Sequence, residues 1–454
     1  MGNQIELQET QGNPTKTGDL MKPSKPPIEA DRQEDMFKTP LVEIIDMNHE
    51  LVRLAAFIPW DEFDKGFGEF YQPDKGRPAK PTRLLVGLHY LKETDKLSDE
   101  KALRIWLQNP YWQYFCGMKY FEHQLPIDPS QMTKWRKRVG EAGIEKMLAG
   151  TVRAARGVKM LLPKSFQKVN VDTTVQEKAV HYPTDARLYY DMREKLVRMA
   201  KENNVKLRQS YVNVGKGELY QVGRYTHARQ MQRAAKHRRK LKTYLGRVWR
   251  DIQRKIEGDP DKQIVFRAAI ALAGRVMAQK RTDSNKVYSV HAPEVECISK
   301  GKAHKKYEFG VKVSVVTTSR EGIVIGMKSL PGNPYDGHTL SASIEQAQRI
   351  AGREIDGDIF TDKGYRGHDY KGRATVHIVG RIRKSVRDAM SRWKKRRAAI
   401  EPEIGHIKND GLLGRNFLAG ALGDMINAIL CGCGHNMRKL LAFMFERPAL
   451  TART

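Results

Sequence analysis

The sequence predicts an α/β domain that carries a helical insertion and is preceded by an all-helical segment. Apolar residues recur at helical spacing before residue 160. Period-two alternation begins near Gln167 and resumes after Lys286, and helical spacing returns between these two stretches. At 454 residues the chain is long enough for more than one buried core.

Lys and Arg total 81 against 52 Asp and Glu, a formal net charge of +29. Such an excess points to a polyanionic partner, nucleic acid first, although a ribosome-associated or simply basic protein carries the same charge. Charge names a partner class and not a reaction. Cys116, Cys297, Cys431 and Cys433 form neither a disulfide framework nor paired CxxC sets, which fits a reducing compartment, and Cys431-Gly432-Cys433 suits core packing. The polar stretch from Met1 to Asp31 lacks the order of a signal peptide, so residues 1–34 read as a disordered tail and 446–454 as a C-terminal one. Gly420 to Phe445 is apolar, but Asp424, Asn427, His435, Asn436, Arg438 and Lys439 interrupt it, which excludes a membrane helix. The expectation is a cytoplasmic protein with no membrane partner.

Leu84, Leu85, Leu88 and Leu91 predict a first long helix, and Ser98 before Asp99 and Glu100 caps another running through Leu107. In Asp128-Pro129-Ser130, Ser130 reads as the cap of a basic helix bearing Trp135-Arg136-Lys137-Arg138, and an amphipathic run continues from Ile144 to Arg156. Residues 35–160 are thus expected to form an N-terminal all-α DNA-binding domain of helix-turn-helix type, with Gln131, Lys134 and Arg138 on one face towards DNA. A plain bundle with a solvated basic face fits the same residues.

Val169 and Val171 alternate with Lys168, Asn170 and Asp172, so a strand is expected to end at Asp172. From Asp185 the helical period returns in Leu188, Met192, Leu196 and Met199, with Thr184 or Asp185 as cap, and predicts an insertion over about 185–283. Between Leu219 and Arg250 stand ten Lys or Arg residues and no acid, interleaved with Tyr225, Tyr244 and Trp249. That pattern suits a phosphate-tracking surface, with Arg238, Arg239, Lys240 and Lys242 as its centre, and equally a solvated helix face. Strand patterns at Lys286–His291, Tyr307–Thr318 and Gly322–Ser329 predict a three-strand meander. A helix over Leu340–Ala351, a strand over Ile355–Thr361 ending at Asp362, a strand over Val376–Ile382 and further helices complete a catalytic domain over 161–445.

Acids at strand ends in so basic a chain suit metal-assisted phosphodiester chemistry, because hard divalent cations take oxygen ligands and two of them activate the attacking oxygen and stabilise the leaving one. Asp172 and Asp362 are two such acids, and the third is Glu401 or Glu403. At about 100° per residue, Arg397, Glu401 and Lys408 share one side of a continuous helix and Glu403 points away; a helix started or kinked at Pro402 would spoil the angle to Arg397 but not the relation to Lys408. A second Glu-x2-His to match Glu403-x2-His406 is missing, as is any Gly-x4-Gly-Lys-[Ser/Thr], which leaves no basis for a di-iron bundle or a nucleotide-driven partner in this chain.

Three motifs in order, Val171-Asp172-Thr173-Thr174-Val175-Gln176-Glu177-Lys178, Thr361-Asp362-Lys363-Gly364-Tyr365-Arg366-Gly367, and Arg397-x3-Glu401-x6-Lys408 followed by Gly414-Arg415-Asn416, resemble the DDE transposases of bacterial insertion sequences, specifically the insertion-sequence-five family. The resemblance runs from about Asp35 to Phe445. It departs where the family often has a Tyr three residues before the Arg; here Lys394 stands, beside Trp393. It implies a ribonuclease-H-like mixed sheet flanked by helices, with Asp172 on the first strand, Asp362 on the fourth and Glu401 on a later helix. The three are then the catalytic and metal-binding acids, holding two Mg²⁺ ions for which Mn²⁺ substitutes, and Arg397 and Lys408 lie beside the DNA. The implied activity is recognition of terminal inverted repeats, cleavage, and joining of a 3'-hydroxyl to target DNA. Double-stranded DNA is the implied partner, and a homo-oligomer on two ends, near the bacterial nucleoid, the implied assembly. A transposase-derived DNA-binding protein that no longer cuts is an alternative that the presence of all three acids argues against, and a nuclease without strand transfer would use the same residues.

Overall fold

Seven α-helices precede the sheet among the described residues of the computed structural model, which are 20–21, 38–71, 77–299, 306–380 and 391–448. They are α1 (Leu41–Ile44), α2 (Glu50–Ala55), α3 (Trp60–Phe67), α4 (Thr82–Thr94), α5 (Asp99–Gln108), α6 (Pro110–Phe115) and α7 (Pro129–Gly157). Apart from the pair at 20–21, the expected tail 1–34 lies outside the described residues, as do 449–454. Ser98 caps α5, its hydroxyl accepting from the Lys101 amide at 3.2 Å. The cap of α7 is Asp128 and not Ser130: its carboxylate accepts from the Ser130 amide at 2.8 Å, and Pro129, whose missing N–H costs nothing in a first turn, begins the helix. Gly140, at φ 58°, kinks α7 between its basic first part and its apolar second part.

Among the described residues the main sheet has six strands: β1 (Lys168–Glu177), β2 (Glu296–Ile298), β3 (Glu308–Thr318), β4 (Val324–Leu330), β5 (Asp358–Thr361) and β6 (Thr375–Ile378). Antiparallel β3 lies on one side of β1, with β2 and β4 along its far edge, and β5 and β6 run parallel to β1 on the other side. The sheet is therefore mixed. Asp172 does not end β1 but lies within it, opposite Val315, because Thr173, Thr174 and Val175 continue the ladder with β3. The expected strand at Lys286–His291 is not formed. Val287 exchanges hydrogen bonds with the Gln279 side chain, and Val287 and Val290 bury against the insertion's helices. The meander instead begins at β2. Of the strand expected at 376–382, residues 381–382 lie outside the described residues.

The insertion holds α8 (Asp185–Glu202), α9 (Val212–His227), α10 (Met231–Ile256) and α11 (Pro260–Ala278), with Thr184 capping α8. They enclose their own apolar core, including Leu196, Leu245, Ile252 and Phe266. After β4 comes α12 (Leu340–Ala351), and after β6 come α13 (Ser391–Arg396), α14 (Ile400–Asn409) and α15 (Gly420–Phe445). α15 packs on α2, α4, α7 and β4, so one continuous core takes in the N-terminal helices, the sheet and α15. Cys431 and Cys433 are buried in it. The buried Arg53 of α2 donates to the carbonyls of Met444 at 2.6 Å and Arg447 at 2.8 Å, which closes the C-terminal end of α15. The described residues between 38 and 160 thus share one core with the sheet.

Candidate active site

Three carboxylates from distant parts of the chain meet one guanidinium beside β1. Arg397 donates from Nη2 to Asp172 Oδ2 at 2.7 Å and from Nη1 to Glu401 Oε1 at 3.0 Å, and its Nη2 lies 3.8 Å from Asp362 Oδ2. Each acid is also set locally. Asp172 Oδ1 accepts from the Thr173 amide at 2.8 Å, and Asp362, the first residue after β5, folds back to accept from the Gly364 amide at 2.9 Å. Glu401 stands in the first turn of α14. Exposure rises from 16% for the Asp172 side chain through 39% for Asp362 to 64% for Glu401, so the pocket opens towards α14.

Pro402 explains how Arg397 arrives there. It has no N–H to give the carbonyl four residues back, and just there, at Arg397–Ala399, the chain makes a 3-10 turn between α13 and α14. Arg396 ties that turn to the sheet, donating to the carbonyls of Ser319 at 3.2 Å and Arg320 at 2.9 Å. The Arg397–Glu401 contact survives the proline, while Lys408 Nζ lies 3.8 Å from the buried Glu308 Oε1. Glu403 faces the other way, accepting from Lys439 of α15 at 2.7 Å and meeting His435 at 3.1 Å. Trp393 presents its ring to the Lys168 ammonium, 5.3 Å from the centroid.

A fourth acid stands at the site that the sequence motifs do not single out. Asp336, in the turn before α12, accepts on Oδ1 from Thr173 Oγ1 and from Lys312 Nζ, both at 3.0 Å. A Cβ on residue 364 would lie 3.0 Å from both Asp336 Oδ2 and Asp362 Oδ1, so any larger residue there would press on both carboxylates. Beneath them the Tyr365 phenol is pushed well above its usual range, by burial first and then by Asp172, Asp336 and Asp362. Proximity to Pro331-Gly332-Asn333-Pro334 makes Asp336 read as loop, and only its Asp-Gly turn signal marks it.

The remaining sequence candidates lie away from this cluster. Gln131 and Lys134 are exposed and Arg138 half-buried on the first part of α7, with Arg138 5.4 Å from the Tyr71 ring centroid. On α10, Arg238, Arg239 and Lys242 are exposed, whereas Lys240 donates to Glu218 of α9 at 2.8 Å. The basic run itself does not contain that acid, because Glu218 stands just before it.

Two family models match the chain, a transposase domain (DUF772) over residues 40–138 and a transposase DDE domain over residues 280–419. The chain belongs to the DDE transposases of insertion sequences. Asp362, Arg397 and Glu401 fall inside the DDE match, and Asp172 lies before it. An uncharacterised protein, ORF8 in the nfe locus of Rhizobium meliloti, is 50% identical over 210 residues, which is 46% of this chain and 100% of that protein. No solved structure matches. A DDE domain implies a ribonuclease-H-like fold, with which the mixed sheet and its flanking helices agree, and such transposases act on DNA and generally use divalent metal ions. No helix among the described residues of this transposase is long and apolar enough to cross a membrane.

Proposed function

We propose that this transposase, of the insertion-sequence-five kind, binds the terminal inverted repeats of its element, hydrolyses the strand to free a 3'-hydroxyl and joins that hydroxyl to target DNA. Asp172, Asp362 and Glu401 are its acid triad. The observation that carries this is the convergence of these three acids on a single cation, Arg397.

The donor set suits Mg²⁺ or Mn²⁺, because it is made of carboxylate oxygens only, and it already surrounds one positive charge. Among the described residues no three carboxylate, imidazole or thiol groups are close enough to chelate an ion as they stand. Here the guanidinium occupies the space between them, and Arg397 must turn aside for Asp172, Asp362 and Glu401 to hold metal. Two bound ions would activate the attacking oxygen and stabilise the leaving one. The protein's own part is to fix the acids. Thr173 and Gly364 orient Asp172 and Asp362 through their amides, and the Lys312–Asp336 pair braces Thr173 from behind. Arg397 and Lys408 supply positive charge beside the DNA. Gln131, Lys134 and Arg138 form the face that reads element ends, and Arg238, Arg239, Lys240 and Lys242 contact backbone, on a homo-oligomer that holds two ends.

The test is cleavage and joining of labelled element ends. Asp172→Asn, Asp362→Asn and Glu401→Gln should each lose Mg²⁺- or Mn²⁺-dependent cleavage below detection while still binding DNA, since an amide is a poor ligand for a hard cation. Glu403→Gln should keep most of it. Cleavage near the unmutated rate in any of the three would sink the triad, and cut ends that never join to target would leave a nuclease.

A further inference from the structure

The connector between α8 and α9, residues 203–211, is held in a shape that its sequence does not favour. Asn204 at φ 56° and Tyr211 at φ 54° both lie in the left-handed region, which asparagine readily adopts just past a helix end but which is costly for an aromatic residue. Tyr211 is kept there from α10. Its ring stacks on Tyr244 at 4.6 Å between centroids and 7° between planes, and its hydroxyl accepts from Arg247 at 3.3 Å. The buried Asp251 carboxylate accepts from the Arg208 amide at 2.9 Å and from Lys255 at 3.0 Å, fastening the middle of the connector to the same helix.

This strained seam bounds two adjoining cavities. One, of about 210 Å³, is lined by Arg208, Tyr211, Arg247, Arg250 and Arg254, and the other, of about 500 Å³, by Lys206, Arg208, Lys255 and Lys262. Arg208 belongs to both, so they form one trough. Arg247, Arg250 and Arg254 follow the i, i+3, i+7 spacing that puts side chains on one face of a helix. Arg238 is roughly half a turn round α10 from Arg247. Asp251 is the acid in the narrower cavity, with Lys255 at 3.0 Å, Arg254 at 3.7 Å and Arg208 at 4.0 Å from its carboxylate, so one negative charge faces three cations there.

We propose that this trough is a binding site for the phosphodiester backbone of duplex DNA, separate from the surface of α10 that carries Arg238. Its charges are strung along a groove and not gathered at one point, which suits a repeating anion better than a single small one. Guanidiniums match phosphate oxygens in pairs. The inference rests on the reading of the chain as a protein that acts on DNA, but not on its acids: binding is measured without metal, so failure of the triad would leave this test intact.

Full-length protein and a labelled duplex of unrelated sequence, in EDTA, would be followed by fluorescence anisotropy across a series of salt concentrations. Substituting Arg208→Gln, Arg247→Gln and Arg250→Gln together should flatten the slope of log affinity against log salt by about 0.9 for each phosphate that is no longer neutralised. The corresponding triple substitution to Lys, which keeps charge, should restore most of the slope. Element ends and unrelated duplex should change alike, because backbone contacts carry little sequence information. If circular dichroism shows the Gln triple to be unfolded, Arg250→Gln alone carries the test, with a flattening of about 0.9. A folded Gln variant with an unchanged slope overturns the proposal, as does a weakening confined to element ends.

Discussion

Arg397 has only 13% of its side chain exposed and touches three acids at once, so its removal should be felt before any DNA is added. Arg397→Gln leaves Asp172, Asp362 and Glu401 without their common cation. In EDTA the variant should be less stable by about 2 kcal/mol, a sum kept low because Glu401 is well exposed. Mg²⁺ should then raise its melting temperature more than it raises that of the unmutated protein, since the ion no longer has to displace a guanidinium. Equal metal-induced shifts in the two proteins would show that Arg397 does not stand where the ion goes. The sequence carries part of this geometry: a helix angle is enough to put Arg397 beside Glu401 and to turn Glu403 elsewhere, and the structure has both. It cannot carry the contact to Asp172, 225 positions away, which depends on the sheet and on the tie from Arg396 to Ser319. Nor can it raise Asp336 from a turn residue to a neighbour of Asp362.

Elements are legible where a local device defines them and obscure where a neighbour does. Ser98 capping α5 and the Leu340–Ala351 helix depend on adjacent residues and appear as expected. Lys286–His291 has strand alternation, yet its valines are claimed by the insertion's core. The junction of α4, α5 and α7 shows a further effect invisible in sequence. The buried His89 gives its Nδ1 proton to the Leu85 carbonyl at 2.7 Å, while its Nε2 faces Arg136 Nη1 at 3.2 Å. Arg136 is in turn paired with Asp99 at 2.6 Å. A second proton would set an N–H against that guanidinium. Burial first, and Arg136 next, push His89 down to about 3 from 6.5. A histidine with a depressed folded value binds protons only when unfolded across that range, so stability is full above about pH 6.5 and falls as pH drops. By pH 5 the loss through His89 should be about 2 kcal/mol. Urea midpoints at pH 7 and pH 5 measure it, and His89→Gln should shrink the difference by that amount. A variant with the same pH dependence as the parent would place the acid sensitivity elsewhere.

At the scale of the molecule, the change of pattern near residue 160 marks a change of secondary structure, and the helices before it share a core with the sheet after it. An amphipathic stripe tells which face is buried but not what covers it. Met147, Leu148 and Val152 of α7 share one core with Val324 and Met327 of β4 and Leu440 of α15. Deleting residues 1–162 should therefore yield an insoluble or loosely packed chain. A monomeric product with sharp tertiary circular dichroism and intact nonspecific DNA binding would show that the helices are detachable after all. The helical insertion is the opposite case, with its own enclosed core.

This arrangement sets an order on synthesis. As the chain leaves the ribosome, α7 is complete long before α15, the helix that fills the middle of the shared core. At ~5–20 residues per second, roughly 15 to 60 s separate the two. During that interval α2, α4 and α7 lack the cover that α15 gives them, while the insertion can already close on itself. The helices up to α7 thus await α15 before the shared core closes, and Asp172 cannot meet Arg397 until 225 further residues have been made.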